Sequence, residues 1–188
     1  MKKFTKMFVG VFCALLLAAP VFAASTPVAV TTTTATPTNS WVLTLGGSGA
    51  TTTTADSETA FGLSFGLGKQ FSETLPLVGT VSLESGVRQT VGYATQKNAS
   101  STTLFSTRPY VDTTLYTVGP VSVYAGGNSG ATYGNMPLRW TAAPEWGVDV
   151  KLAKNVLLDG RMDYAFDLNP SQKAQNALEY FVGIKFLF

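Results

Sequence analysis

The sequence predicts an all-β fold, an eight-stranded antiparallel transmembrane β-barrel. Three observations carry that prediction. From Ser40 onward, apolar residues alternate with small or polar ones at a period of two, almost without interruption. The alternation divides into eight segments, each near the 9–11 residues that a tilted strand needs to cross a bilayer. Charge is scarce, at 13% of 188 residues, where a soluble domain carries roughly 25%. Within the strands it falls almost entirely on the small, polar face.

Residues 1–23 read as a secretory signal peptide. Lys2, Lys3 and Lys6 precede an apolar run from Phe8 to Ala19, and Val21-Phe22-Ala23 offers a small-residue cleavage site. The run falls short of the roughly 20 residues of a membrane helix. Its removal takes away the lone cysteine, Cys13, and leaves ten basic residues against eleven acidic ones. A basic footprint for a nucleic-acid partner is then absent. Residues 24–39, with Thr31-Thr32-Thr33-Thr34 and scattered prolines, read as a disordered periplasmic tether by composition. The barrel is assigned to residues 40–188.

The strands follow in order. The first places Trp41, Leu43 and Leu45 opposite Thr44, Gly46 and Ser48; the second places Phe61, Leu63, Phe65 and Leu67 opposite Gly62, Ser64, Gly66 and Gly68. The third sets Val81, Leu83, Val87, Val91 and Tyr93 against Glu84, Gly86, Arg88 and Thr90. The fourth sets Phe105, Val111 and Leu115 against Arg108, Tyr110, Asp112, Thr114 and Tyr116. The fifth sets Val121, Val123 and Ala125 against Tyr124, Gly126 and Asn128. The sixth sets Trp140, Ala142, Trp146, Val148, Val150 and Leu152 against Thr141, Glu145, Gly147, Asp149 and Lys151. The seventh sets Leu158, Met162, Tyr164 and Phe166 against Asp159, Arg161 and Asp163; the eighth sets Leu178, Tyr180, Val182, Ile184, Phe186 and Phe188 against Glu179, Gly183 and Lys185.

Longer polar connections, near 50–58, 95–102, 129–138 and 168–176, alternate with tight ones near 118–120 and 153–155; the connection at 72–79 is longer than its class. That alternation matches long loops outside and short turns inside, with both chain ends on the inner side. Eight strands enclose only enough space for side chains. An apolar face this continuous and aromatic must therefore look outward, into lipid. Its aromatics gather near strand ends, with Trp41, Phe71, Phe186 and Phe188 at one end and Phe61, Tyr93, Phe105, Trp140, Phe166 and Tyr180 at the other, as interface girdles do.

The closing run Tyr180-Phe181-Val182-Gly183-Ile184-Lys185-Phe186-Leu187-Phe188 resembles the final strand of Gram-negative outer-membrane β-barrel proteins. Over residues 40–188 the architecture is similar to the small OmpA/OmpX-type barrels. The resemblance implies an outer-membrane location with periplasmic termini, contact with outer-membrane lipid, and recognition by the barrel-assembly machinery, for which Phe188 would be the assembly signal.

The face opposite the lipid carries a charge network made of Glu84, Arg88, Arg108, Asp112, Glu145, Asp149, Lys151, Asp159, Arg161, Asp163, Glu179 and Lys185. Seven acids against five bases suit mutual neutralisation in a narrow lumen, which disfavours a wide pore. The chain has no histidine. Enzymes of the outer-membrane barrel class rely on Ser/His or His/Asp pairs, so their mechanisms do not carry over. Asp159 and Asp163 lie on one face with Arg161 between them, which argues for ionised, paired acids rather than a general acid. The same alternation is poor for a hard cation, which wants clustered oxygens. No catalytic, cofactor or metal site is assigned.

Two finer expectations follow. Opposing Lys151 to Asp159 and Asp149 to Arg161 would give the sixth and seventh strands two opposite-charge pairs. The neighbouring register would oppose Asp149 to Asp159 and Glu145 to Asp163, which a sheet disfavours. Pro109 and Pro144 each remove a ladder hydrogen bond inside a strand, costly where lipid offers no replacement. Beside them, the small inward residues Gly62, Ser64, Thr90, Gly92 and Ala143 leave room for a shallow outer cavity. The expected role is structural or interaction-based, through polar loops outside the cell. Passage of small hydrophobic molecules through a lateral wall opening is the first alternative, and lipid-active catalysis the second.

Overall fold

The computed structural model describes residues 38–52, 59–75, 79–95, 102–169 and 176–188. The signal peptide reading and the tether up to residue 37 lie outside the described residues. Eight strands follow one another: β1 (Thr38–Thr52), β2 (Thr59–Leu75), β3 (Gly79–Thr95), β4 (Thr102–Val118), β5 (Val121–Gly134), β6 (Arg139–Ala153), β7 (Val156–Asp167) and β8 (Ala177–Leu187). Each pairs antiparallel with the next, and β8 pairs back onto β1, so the sheet closes into a barrel without a free edge. The fold class read from the sequence is the observed one. β1 begins at Thr38, two residues before Ser40.

Lipid-facing positions are exposed apolar side chains, from Trp41 and Leu45 in β1 to Val182 and Phe186 in β8. In water such a belt would be unstable, and it suits hydrocarbon. The inner face is the buried one. It holds Thr44, Ser64, Glu84, Arg88, Arg108, Asp112, Asn128, Glu145, Asp159, Arg161, Asp163 and Lys185, with Val42, Tyr110, Tyr124 and Phe181 among them. The alternation of β8 leaves Phe181 between Glu179 and Gly183, on the inner parity, and it is 2% exposed.

Glycine sets how closely the walls approach at the closing seam. A Cβ on Gly46 would collide with the Val182 carbonyl, the Gly183 Cα and the Phe181 ring, whereas a Cβ on Gly47 would meet nothing within 4 Å. The seam ends in a reciprocal pair of backbone bonds: Trp41 N donates to the Phe188 carbonyl at 2.7 Å, and Phe188 N donates to the Trp41 carbonyl at 3.0 Å.

The tight connections bring two β-bulges. The turn after β4 uses Gly119 at φ 56°, a left-handed conformation that glycine adopts without strain. The β4–β5 register shifts between Thr114 and Tyr116, and the β6–β7 register shifts between Lys151 and Ala153. A bulge re-aims the side chains beside it. Tyr116, past its bulge, is exposed and off the inner face where simple alternation places it; Lys151, just before the second bulge, keeps its parity but is exposed near the end of β6.

Both prolines coincide with breaks in the ladder. The β4–β5 register runs from Thr107↔Ala131 to Tyr110↔Asn128, leaving Arg108 and Pro109 unpaired on that side. The β6–β7 register runs from Ala142↔Phe166 to Glu145↔Asp163, leaving Ala143 and Pro144 unpaired. Each proline remains paired on its other side, Pro109 with Val87 and Pro144 with Gly127.

Candidate functional site: the charged lumen and its two hollows

The lumen is tied together from wall to wall. Arg88 on β3 donates from Nη1 to both oxygens of Glu145 on β6, at 2.7 Å each, and from Nη2 to Asp112 Oδ2 on β4 at 2.6 Å. Its guanidinium lies 3.5 Å from the centroid of the Tyr110 ring. Arg108 on β4 grips Glu179 on β8 through two bonds of 2.7 and 2.8 Å. Lys185 on β8 donates to Asp149 Oδ2 on β6 at 2.9 Å and lies 3.2 Å from Glu84 Oε2 on β3.

Neutral side chains complete the network. The Tyr110 hydroxyl donates to Glu84 and the Tyr124 hydroxyl to Asp159, each at 2.7 Å. Asn128 Nδ2 donates to Glu145 Oε2 at 2.5 Å and to Asp163 Oδ2 at 3.0 Å. In this low-dielectric interior, charged hydrogen bonds are short and strong. The residues that join the predicted charges, Asn128, Tyr110 and Tyr124, were placed on the polar face by the sequence but not counted in the network. Their burial was the missing signal.

Eleven of the twelve charges assigned to the lumen are there or at its edge. Lys151 is the exception: it opposes Leu157 just before the bulge, in the register of Asp149, but its side chain is exposed near the end of β6. Among those eleven the balance is seven acids to four bases.

The register of β6 and β7 corrects the sequence expectation. Asp149 opposes Asp159 and Glu145 opposes Asp163, while Arg161 opposes Gly147. The same happens elsewhere on the inner face, where Arg88 opposes Arg108, Glu84 opposes Asp112, and Asp163 opposes Glu179. Every charged pair directly opposed on the inner face among the described residues is a like-charge pair. In an open sheet that arrangement is destabilising. In a closed barrel the nearest partner of a long side chain can sit on the facing wall. Lys185 reaches Asp149 from β8, and Tyr124 reaches Asp159 from β5, so the two aspartates are answered separately. The expectation failed because it treated two strands as a flat sheet.

Two hollows flank this network. A vestibule of about 120 Å³ occupies the half of the barrel beside the longer connections. Its lining includes Gly62, Ser64, Thr90 and Gly92, four of the five small residues expected to leave space there, together with Arg88, Arg108, Arg161, Asp163 and Glu179. Ala143, the fifth, lines a different hollow, a groove of about 460 Å³ between Pro109 and Val111 on one side and Ala142, Pro144 and Phe166 on the other. Asn128 is common to both linings. No three acidic groups among the described residues converge in an arrangement suited to a metal ion.

No protein-family model matches this chain, and no curated protein matches it. Solved structures do. Neisserial surface protein A (NspA) aligns at 16% identity over 80% of this chain and 99% of its own, with a TM-score of 0.56. OprG from Pseudomonas aeruginosa aligns at 15% identity over 81% of this chain and 97% of its own, with a TM-score of 0.39. Ail from Yersinia pestis aligns at 8% identity over 80% of this chain and 99% of its own, with a TM-score of 0.32. The likeness to NspA and the closed eight-stranded topology agree: this chain has the fold of the small outer-membrane β-barrels.

Proposed function

We propose that this protein is a non-catalytic outer-membrane barrel that works by presenting its polar connections outside the cell rather than by conducting solutes along its axis. The observation that carries this is the set of wall-to-wall ion pairs. Arg88–Glu145, Arg108–Glu179 and Lys185–Glu84 each join strands that are not neighbours, so their side chains reach across the lumen. The acids that a general acid–base mechanism would need are held in that network. Both chain ends lie on the periplasmic side, on the side of the tight turns, and residues 1–23 direct export. Phe188 serves as the assembly signal. Reconstituted into planar bilayers, the protein should give no conductance above the bare-membrane background. Regular open-channel steps would overturn the plugged-lumen reading. Protease added to intact cells should spare both ends.

A second reading is favoured by one feature. The ladder breaks at Pro109 and Pro144 flank the same wall groove, and only Asn128 is shared between groove and vestibule. Lateral passage of small hydrophobic molecules would use that junction. Proteoliposomes carrying the Asn128→Ala variant should then take up an apolar fluorophore faster than wild type; equal rates would dismiss passage here.

A further inference from the structure

Residues that line the vestibule carry polar atoms that the network leaves unused. The Arg161 side chain is only 8% exposed, and its ion pair with Asp159 is long, at 3.8 Å. Its guanidinium rests 4.5 Å from the centroid of the Phe181 ring. Asp163 Oδ1, Arg108 Nε and Ser106 Oγ are buried without a hydrogen-bond partner. All four residues line the same vestibule. Buried polar groups in a folded protein are normally satisfied, and each exception asks for a reason.

The other charged groups of the lining are engaged: Arg88 with Glu145 and Asp112, and Arg108, through its Nη atoms, with Glu179. What remains for a ligand is one guanidinium and one carboxylate oxygen. A simple anion drawn to Arg161 would meet Asp163, and a simple cation drawn to Asp163 would meet Arg161. A molecule carrying both charges satisfies both.

We propose that the vestibule binds a small zwitterion, with its carboxylate on Arg161 and Arg108 Nε and its ammonium on Asp163, and Ser106 as a hydroxyl partner. Arg161 and Asp163 are two residues apart on one face of β7, about 6.5 Å along the strand. The ligand therefore carries its charges at opposite ends of a short chain rather than on one carbon. A volume of about 120 Å³, set against the roughly 150 Å³ cavity that admits benzene, suits a molecule of about six heavy atoms. The Phe181 ring under Arg161 holds the guanidinium in place before the ligand arrives. This site goes beyond the surface role proposed above and does not depend on an opening at the prolines.

The test is calorimetric titration of the refolded full chain in detergent with β-alanine, and separately with its one-charge halves, propionate and ethylammonium, and with L-alanine. β-Alanine should bind saturably, and each half at least tenfold more weakly. L-Alanine, whose charges share a carbon, should also bind more weakly. Arg161→Gln and Asp163→Asn should each weaken β-alanine binding at least tenfold, while Lys151→Ala leaves it unchanged. Absence of saturable binding to wild type, or halves that bind as tightly as β-alanine, overturns the proposal. L-Alanine binding as tightly as β-alanine overturns the end-to-end placement. Folding of each variant is checked by heat-modifiable migration, and the wild-type comparison decides the matter should either variant not fold.

Discussion

Arg88 is the charge on which the lumen most depends, and its replacement by methionine tests the network directly. The guanidinium supplies two hydrogen bonds to Glu145, whose side chain is 0% exposed, and one to Asp112, whose side chain is 4% exposed. In Arg88→Met, Glu145 keeps only the bond from Asn128. Asp112, whose Oδ1 already lacks a partner, loses the bond to its Oδ2. Breaking a buried pair from one side costs about 3–5 kcal/mol, because the abandoned charge stays buried. One gain offsets part of this: Arg88 no longer opposes Arg108, a relief of up to about 1 kcal/mol. The net loss is then about 2–4 kcal/mol, or roughly a 30- to 1,000-fold fall in the folding equilibrium constant. Urea titration in detergent, followed by the folded band on unboiled gels, should show the midpoint falling by about 1 M or more. The triple variant Arg88→Met, Asp112→Asn, Glu145→Gln removes the abandoned charges and should recover more than half of that loss. A midpoint for Arg88→Met that matches wild type, or a triple variant no better than the single one, would refute the network as the source of stability.

The remaining predictions are checked in the same way or in cells. Lys185→Met abandons Asp149 and Glu84 and should lower the urea midpoint comparably, whereas Lys151→Met, on an exposed side chain, should leave it unchanged. Gly46→Ala drives a methyl group into the β1–β8 seam and should cost about 1–3 kcal/mol, while Gly47→Ala, with open space around it, should be silent by the same titration. Phe188→Ala keeps the two backbone bonds to Trp41 and removes only the ring. It should cut the amount of protein in the outer membrane several-fold on immunoblots while leaving the refolded midpoint close to wild type. A fall in both would assign the ring to packing rather than to assembly.

The fold was legible because its physics is local. A period of two, sustained across Phe61–Leu67 or Leu178–Phe186, can satisfy only a two-faced strand, and eight such strands can close only one way in lipid. The lumen was legible by parity alone, which placed Glu84, Arg88, Glu145 and Asp159 together inside. Its wiring was not, because parity says which face a side chain shares and nothing of what stands across the barrel. Arg108 and Glu179 are 71 residues apart and on facing walls. Tyr116 departs for a simpler reason: it follows a bulge, and one inserted residue inverts everything beyond it, whereas Lys151, two residues from the end of β6, keeps its parity but is exposed there. Phe181 shows a bias of a different kind. An aromatic residue in a membrane strand invites assignment to lipid, although its position between Glu179 and Gly183 points inward.

The like-charge columns of the inner face bear on how the barrel can be built. A β3–β4 hairpin alone would set arginine against arginine and glutamate against aspartate, and a β6–β7 hairpin would set two pairs of acids face to face. Within the β3–β4 unit only the diagonal Arg88–Asp112 pair answers a charge, whereas Arg108, Glu145 and Lys185 meet their partners only when strands two to four positions apart curve into reach of each other. Much of the neutralisation therefore arrives with curvature rather than with strand pairing. A half-assembled sheet keeps its charged column wet and its inner face unfit for hydrocarbon, while the β1–β8 seam, where no charges oppose one another, is free to close last.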